Sequence, residues 1–311
     1  MEKRVLVITG PTATGKSALG IECAKRLGGE IISADSMQVY RGMDIGTAKV
    51  PEDGRQGVPH HLIDVASPDE DWSAARWVDA AAERAEDIFS RGLVPIIVGG
   101  TNLYIDSLLS GRDFAAREDE TVRARLNAEY DALGGEAFRA RLRAVDPARA
   151  EILHPADRKR LVRAQEVWEL TGETLTAHDA RTKALPPRWD SLRIALNWAD
   201  RADLYARIDA RVDEMIDDGL FDEVEMLLVR GLSPDCTAMQ AIGYKEVAAY
   251  FGGRVTAGDA IDAIKQSSRR YAKRQLTWLR RDAGVHWIVW DGTPDIPAAA
   301  DRVLSLWNAA P

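Results

Sequence analysis

Val5-Leu6-Val7-Ile8-Thr9-Gly10-Pro11-Thr12-Ala13-Thr14-Gly15-Lys16-Ser17 is an apolar run that leads into the P-loop pattern. The run Val5–Ile8 reads as a buried strand, and Lys16–Leu27 as the helix that follows the loop. Between them, glycines let backbone N–H groups curl around a phosphate, and the helix N-terminus adds positive potential. Lys16 is placed to reach the outer phosphates, and Ser17 to put its hydroxyl on Mg²⁺. The expected phosphate site is therefore Gly10, Pro11, Thr12, Ala13, Thr14, Gly15, Lys16 and Ser17.

Outward from the loop, strands are expected at Glu30–Ser33 and Val94–Val98, with a helix at Ser73–Arg91. Short buried strands separated by helices imply an α/β protein with a P-loop-type parallel sheet flanked by helices. The segment from Asp35 to about Val65, rich in Gly and Pro, reads as a long irregular active-site loop. From about Arg117 to Ala184 the strand signals vanish, and Pro186-Pro187 closes the stretch. It reads as an all-helical insertion. The expected division is a core of residues 1–115 and 190–311 and an insertion of residues 116–189. Strands at Leu192–Trp198 and Val285–Trp290 and a final amphipathic segment at Ile296–Leu306 complete the core.

Composition narrows the classes. At 311 residues the chain can form one or two domains, and no apolar run approaches a membrane span. Cys23 and Cys236 offer neither a metal spacing nor a disulfide framework, so the cytoplasm is the expected compartment. The net charge of −8 speaks against nucleic acid only until charge is mapped onto elements. In the helix expected over Gly258–Arg281, Lys265, Arg269, Arg270, Lys273, Arg274, Arg280 and Arg281 share one half of the surface. No acid interrupts that half between Lys265 and Arg281, which suits contact with a phosphate backbone. Arg270, Lys273 and Arg274 are its expected centre.

The site is unlike that of an ATPase. A P-loop NTPase ends a second apolar strand in an aspartate, whereas Val94–Val98 runs into Gly99-Gly100-Thr101. Asp35 instead follows the strand Glu30–Ser33. The C-terminal ends of parallel strands share one edge, so Asp35 and Thr101 should stand near the bound phosphates. An acid there can hold metal or accept a proton from a nucleophile; the alternatives are a turn or cap residue for Asp35 and the cap of the helix Asn102–Leu109 for Thr101. Arg207 and Arg211, four apart, should share a helix face. The adjacent His60 and His61 should point to opposite faces of an extended segment, a poor geometry for one metal.

Several segments together carry a resemblance. Asp35-Ser36-Met37-Gln38-Val39-Tyr40-Arg41-Gly42-Met43-Asp44-Ile45-Gly46-Thr47-Ala48-Lys49 resembles the hallmark of bacterial tRNA dimethylallyltransferases. Val58–Asp64, Gly99–Tyr104, Ala241–Glu246 and Tyr271–Trp278 are similar to further family motifs, in the expected order. The resemblance implies a prenyltransferase that moves a dimethylallyl group from dimethylallyl diphosphate to N6 of the adenine 3′-adjacent to the anticodon. Diphosphate is released, Mg²⁺ is the cofactor, and the partner is the anticodon stem-loop of tRNA. A monomer is expected.

By the same resemblance Asp35 is the catalytic base, acting with Lys16 and Thr101, and Arg207 or Arg211 binds diphosphate. Implied tRNA contacts are Asp35, Ser36, Met37, Gln38, Thr101 and Arg123. Lys159, Arg160, Leu161, Val162 and Arg163 form another such segment, in which Lys159 departs from the family's glutamine. Gln240, Ala241, Ile242, Gly243, Tyr244 and Lys245 form a third. A prenyltransferase of free adenine nucleotides would have little use for the basic helix or the insertion. A small-molecule kinase would share the P-loop but not the Asp35 and Thr101 segments, and an intact Lys16 and Asp35 argue against a non-enzymatic RNA-binding protein.

Overall fold

The computed structural model describes residues 3–111, 114–115 and 119–309. The chain divides into two units, residues 1–108 with 189–311 and residues 109–188. The change of pattern expected at about Arg117, and the boundary expected at residue 116, lie outside the described residues.

The first unit is built on β1 (Arg4–Thr9), α1 (Lys16–Leu27), β2 (Gly29–Ser33) and β3 (His60–His61). Next come α2 (Ala74–Ser90), β4 (Val94–Val98) and α3 (Asn102–Leu109). The second unit is helical: α4 (Glu120–Leu133), α5 (Gly135–Val145), α6 (Pro147–Ile152), α7 (Arg158–Thr171) and α8 (Leu175–Lys183). The chain then returns to the first unit with β5 (Asp190–Trp198), α9 (Arg201–Asp217), α10 (Leu220–Val229) and α11 (Tyr244–Phe251). It ends with α12 (Ala257–Leu279), β6 (Val285–Trp290) and α13 (Ile296–Ala309).

The six strands form one sheet in the order β3-β2-β4-β1-β5-β6, every neighbouring pair parallel. A parallel sheet needs both faces covered, and Val5, Leu6, Val7 and Ile8 accordingly have no exposed surface. The expected P-loop-type α/β fold is thus what the chain adopts. Because the strands are parallel, the segments after β1, β2 and β4 emerge at one edge. Those segments are the P-loop, Asp35–Gln38 and Gly99–Thr101.

Some elements answer to purely local signals. Ser73 caps α2 by accepting from the Arg76 N–H at 3.2 Å, and Thr256 caps α12 from the Asp259 N–H at 3.1 Å. β3 is a two-residue strand inside a segment read as irregular; it pairs with Ile31 and Ile32 of β2. His60 and His61 do part ways as expected. His60 Nδ1 meets the Val58 carbonyl at 2.8 Å, while His61 Nε2 meets Glu30 Oε2 at 2.7 Å.

The second unit has its own core, in which Leu126, Phe138, Leu142 and Leu161 are fully buried. Glu166 is buried there too. It accepts from Arg123 Nη2 at 2.8 Å, from Arg163 Nη1 at 2.7 Å and from the Asp119 N–H at 3.2 Å. The two arginines hold its carboxyl below the ordinary range against the opposing effect of burial.

Candidate active site

A cavity of about 690 Å³ opens at the strand-end edge of the first unit. Its walls include Lys16 and Ser17 of the P-loop, Asp35, Gly100, Arg211 of α9 and Tyr271 of α12. Thr12, Ala13, Thr14 and Gly15 also line it, whereas Gly10 and Pro11 shape the loop from behind. Gly10 has φ 142°, and a Cβ there would meet the Leu196 carbonyl at 2.6 Å. Pro11 offers its carbonyl to Thr14 Oγ1 at 2.8 Å and to Lys16 Nζ at 2.6 Å. Ala13 at φ 62° and Gly15 at φ 82° turn the intervening chain through left-handed conformations. Such a turn brings successive N–H groups toward one point.

Two tryptophans brace this loop from the ends of β5 and β6. Trp198 at the end of β5 donates to the Ala13 carbonyl at 3.2 Å, and Trp290 at the end of β6 to Thr14 at 2.9 Å. Nothing local to the P-loop announces them.

The electrostatics favour an anionic ligand. The Lys16 side chain is only partly covered, yet its amine is deep enough that burial lowers its pKa to about 7. The Arg211 guanidinium pushes it the same way, and Asp35 opposes both. Burial also lowers Arg211 from its ordinary value, against Asp35 and Glu214. An anion seated between Lys16 and Arg211 would offset the mutual repulsion that Asp35 relieves only in part. Tyr271 is pushed up to about 12, by burial and then by the charge of Asp35.

Of the two candidate arginines, Arg211 lines this cavity and Arg207 does not. Arg207 is exposed and borders a second cavity of about 890 Å³, which Arg211 also lines. Asp35 combines two roles that the sequence left as alternatives. Its Oδ1 accepts from the Met37 N–H at 2.9 Å and the Gln38 N–H at 3.4 Å, as a turn residue would, and the residue still lines the cavity. Thr101 acts from behind the wall. Its Oγ1 accepts the Ser36 N–H at 3.1 Å, and its hydroxyl bonds to Tyr271.

Ser36, Met37 and Gln38 line the cavity with Gln240, Ala241, Ile242, Gly243 and Lys245. The Gln38 amide is already engaged with Ser33 Oγ at 2.9 Å and the Thr47 carbonyl at 3.1 Å. Tyr244 corrects the expectation for its segment: its ring is fully buried and its hydroxyl bonds to Glu223, so it presents no side chain to a ligand. Leu161 and Val162 are likewise given to the core of the second unit. Lys159 and Arg160 on the same helix are exposed, while Arg123 and Arg163 are bound to Glu166.

On α12 the expected acid-free face is interrupted from outside the helix. Arg269 Nη1 meets Asp209 Oδ2 at 2.6 Å and Lys265 Nζ meets Asp213 Oδ1 at 2.6 Å, both acids standing on α9. Arg270, Lys273 and Arg274 remain exposed, with Arg274 also lining the cavity beside the Tyr271 ring.

Gln275 is a site residue that sequence reading passed over. It is 5% exposed, and its Nε2 donates to the Gly100 carbonyl at 2.8 Å. A Cβ on Gly100 would lie 2.2 Å from that nitrogen, which is why the wall is glycine there. Among the described residues no three His, Cys, Asp or Glu side chains converge on a metal site, and no helix is long and apolar enough to cross a membrane.

Comparison with known proteins adds a consistent result. A family model described as IPP transferase matches residues 38–282, and one described as isopentenyl transferase matches residues 3–63. The tRNA dimethylallyltransferase of Geobacillus thermodenitrificans is 49% identical over 288 residues, which cover 92% of this chain and 90% of that one. The tRNA dimethylallyltransferase 2 of Geotalea uraniireducens is 45% identical over 285 residues, 92% of either chain. Among solved structures, a tRNA delta(2)-isopentenylpyrophosphate transferase from Staphylococcus epidermidis matches at TM-score 0.73 and 40% identity, covering 99% of both chains. A eukaryotic dimethylallyltransferase acting on tRNA matches at TM-score 0.84 and 28% identity, over 99% of this chain and 80% of that one.

Proposed function

The chain belongs to the tRNA dimethylallyltransferase family and transfers a dimethylallyl group to tRNA, and from that premise we propose how its own residues do so. The donor is dimethylallyl diphosphate, seated on the P-loop. The acceptor is N6 of the adenine 3′-adjacent to the anticodon, turned out of its stack to reach the cavity. The observation that carries this reading is the single cavity joining P-loop, Lys16, Arg211 and Asp35.

In the reaction, the carbon–oxygen bond of the donor breaks and diphosphate leaves with the electron pair. Lys16, Arg211 and the loop amides stabilise the charge that builds on it. The exocyclic amine forms the new carbon–nitrogen bond, and its proton passes to Asp35. The Asp35 Oδ1 is held by the Met37 and Gln38 amides, which fixes the carboxylate against the incoming base. Tyr271 and Gln275 line the same cavity and narrow the space left for water beside the reacting atoms.

Ser17 lines the cavity beside Lys16, and its hydroxyl would hold Mg²⁺ there alongside the donor. When bound it neutralises charge on the leaving group. The exposed Arg270, Lys273 and Arg274 are available to backbone phosphates, as are Lys159 and Arg160.

The test is incubation with dimethylallyl diphosphate and unmodified tRNA, followed by mass analysis of the nucleosides. One adenosine per tRNA should gain a single C5H8 unit. Phosphate transfer from ATP with no prenylated nucleoside would overturn the reading in favour of a kinase.

A further inference from the structure

One carboxylate outside the cavity collects more polar partners than any role assigned so far requires. Glu223 of α10 accepts the Asp44 N–H at 2.8 Å and the Ile45 N–H at 2.9 Å on Oε2, and the Gly46 N–H at 3.3 Å on Oε1. The Tyr244 hydroxyl completes the set on Oε1. A backbone with three successive amides directed at one anion is a nest, and it is ordered by the charge it surrounds. Gly46 allows the arrangement, since a Cβ there would lie 2.5 Å from the Tyr244 ring.

The nest continues toward the reaction centre by consecutive hydrogen bonds. Beyond Gly46, the Thr47 carbonyl accepts from Gln38 Nε2 at 3.1 Å. The backbone N–H of that same Gln38 donates to Asp35 Oδ1 at 3.4 Å, beside the stronger bond from Met37 at 2.9 Å. Ser33 Oγ holds the other end of the Gln38 amide at 2.9 Å. From Glu223 to Asp35 the path of bonded groups is unbroken.

We propose that Glu223 is a positioning residue for Asp35. It fixes the Asp44–Thr47 backbone, which fixes Gln38, which sets the direction of the Asp35 carboxylate toward the acceptor amine. This rests on the reading of Asp35 as the base. A misplacement of about 1 Å at a reacting group costs on the order of 10²-fold in rate, so a post that never touches substrate can still control the step.

The experiment uses Glu223→Gln, which keeps shape while replacing one acceptor oxygen by a donor. Single-turnover transfer to tRNA should fall roughly 10–100-fold, with donor affinity within about threefold of the parent. The Asp44–Gly46 amides should exchange hydrogen faster. Tyr244→Phe leaves the carboxylate on all three amides and should cost less. The deciding measurement is the cycle with Asp35→Asn: if Glu223 acts through Asp35, Glu223→Gln adds little in that background. Equal losses in both backgrounds, a parental rate in Glu223→Gln, or unaltered exchange at the three amides would each overturn the proposal. Failure of the underlying function looks different. The parent would then transfer no prenyl group at all, or Asp35→Asn alone would leave its rate intact.

Discussion

Trp290 donates its indole N–H to the Thr14 carbonyl at 2.9 Å, tying the end of the edge strand β6 to the middle of the P-loop. The bond is buried, and its partners lie 276 residues apart in sequence. A phosphate loop works by holding its amides ready before the ligand arrives, and this bond is part of that preorganisation.

Trp290→Phe should therefore weaken dimethylallyl diphosphate binding, by roughly 5–10-fold, and lower stability by about 1–2 kcal/mol through the carbonyl left unpaired. Calorimetric titration with the donor and urea melts check both. Unchanged donor affinity would show that the loop holds its shape without the indole.

Asp35→Ala should nearly abolish transfer while leaving tRNA affinity almost unchanged. Loss of a general base typically costs roughly 10²–10⁴-fold, or about 3–5 kcal/mol of barrier. Single-turnover rates at saturating tRNA are the measurement, and a parental rate would remove Asp35 from the chemistry.

The two arginines of α9 should separate cleanly. Arg211 lines the cavity beside Lys16, whereas Arg207 is exposed to solvent. Arg211→Ala should weaken donor binding by on the order of 10–100-fold, since charged hydrogen bonds are worth about 1.5–3 kcal/mol. Arg207→Ala should stay within about threefold. Isothermal titration of both variants with the donor decides, and equal effects would mean that diphosphate spans both side chains.

Acid sensitivity should trace to Glu30. Its carboxylate accepts from Arg91 Nη2 at 2.8 Å and meets His61 at 2.7 Å, and these partners hold its pKa at about 2 rather than 4.5. A depressed folded-state value contributes stability that is present above about 4.5 and is lost as pH falls toward about 2. Arg91 is half exposed, so solvent screens part of that contribution. Glu30→Gln should be less stable than the parent near neutral pH and converge with it in acid. Urea melts across that window would show a constant difference if Glu30 were not responsible.

On α12, neutralising Arg270, Lys273 and Arg274 together should weaken tRNA binding and flatten its salt dependence. The log–log slope should fall by roughly 0.7–0.9 for each phosphate no longer neutralised. Donor binding should not change. Neutralising Lys265 and Arg269 should instead cost stability, because their charges already face Asp213 and Asp209. Filter binding at several salt concentrations, with melting curves alongside, separates the two groups; an unchanged slope in the triple variant would move the tRNA-binding surface elsewhere.

What could be read from sequence was what depends on neighbours along the chain. α1 occupies Lys16–Leu27 and β4 Val94–Val98, as the apolar runs and turn residues indicate, and the P-loop, Asp35 and Gly99–Thr101 meet at one edge because parallel strands must end together. What escaped depends on partners far away. The basic face of α12 looked acid-free because Asp209 and Asp213 stand on another helix, and Tyr244 looked available because nothing near it names Glu223. Leu161 and Val162 sit in a motif that resembles a tRNA contact, yet helical periodicity sends their side chains inward between the exposed Lys159 and Arg160 and the half-exposed Arg163.

Gly100 and Gln275 stand on different segments, a strand end and a helix, but occupy one volume: the amide nitrogen of one fills the space that a methyl group on the other would take. The two positions are therefore not free to drift apart in descendants of this chain. A side chain at residue 100 requires the Gln275 amide to shift or a shorter residue at 275, so the α12 glutamine moved alone into a relative with a side chain at the strand end would meet a steric conflict at the reaction wall. Chimeras of this enzyme should carry the strand-end glycines and the α12 glutamine across together.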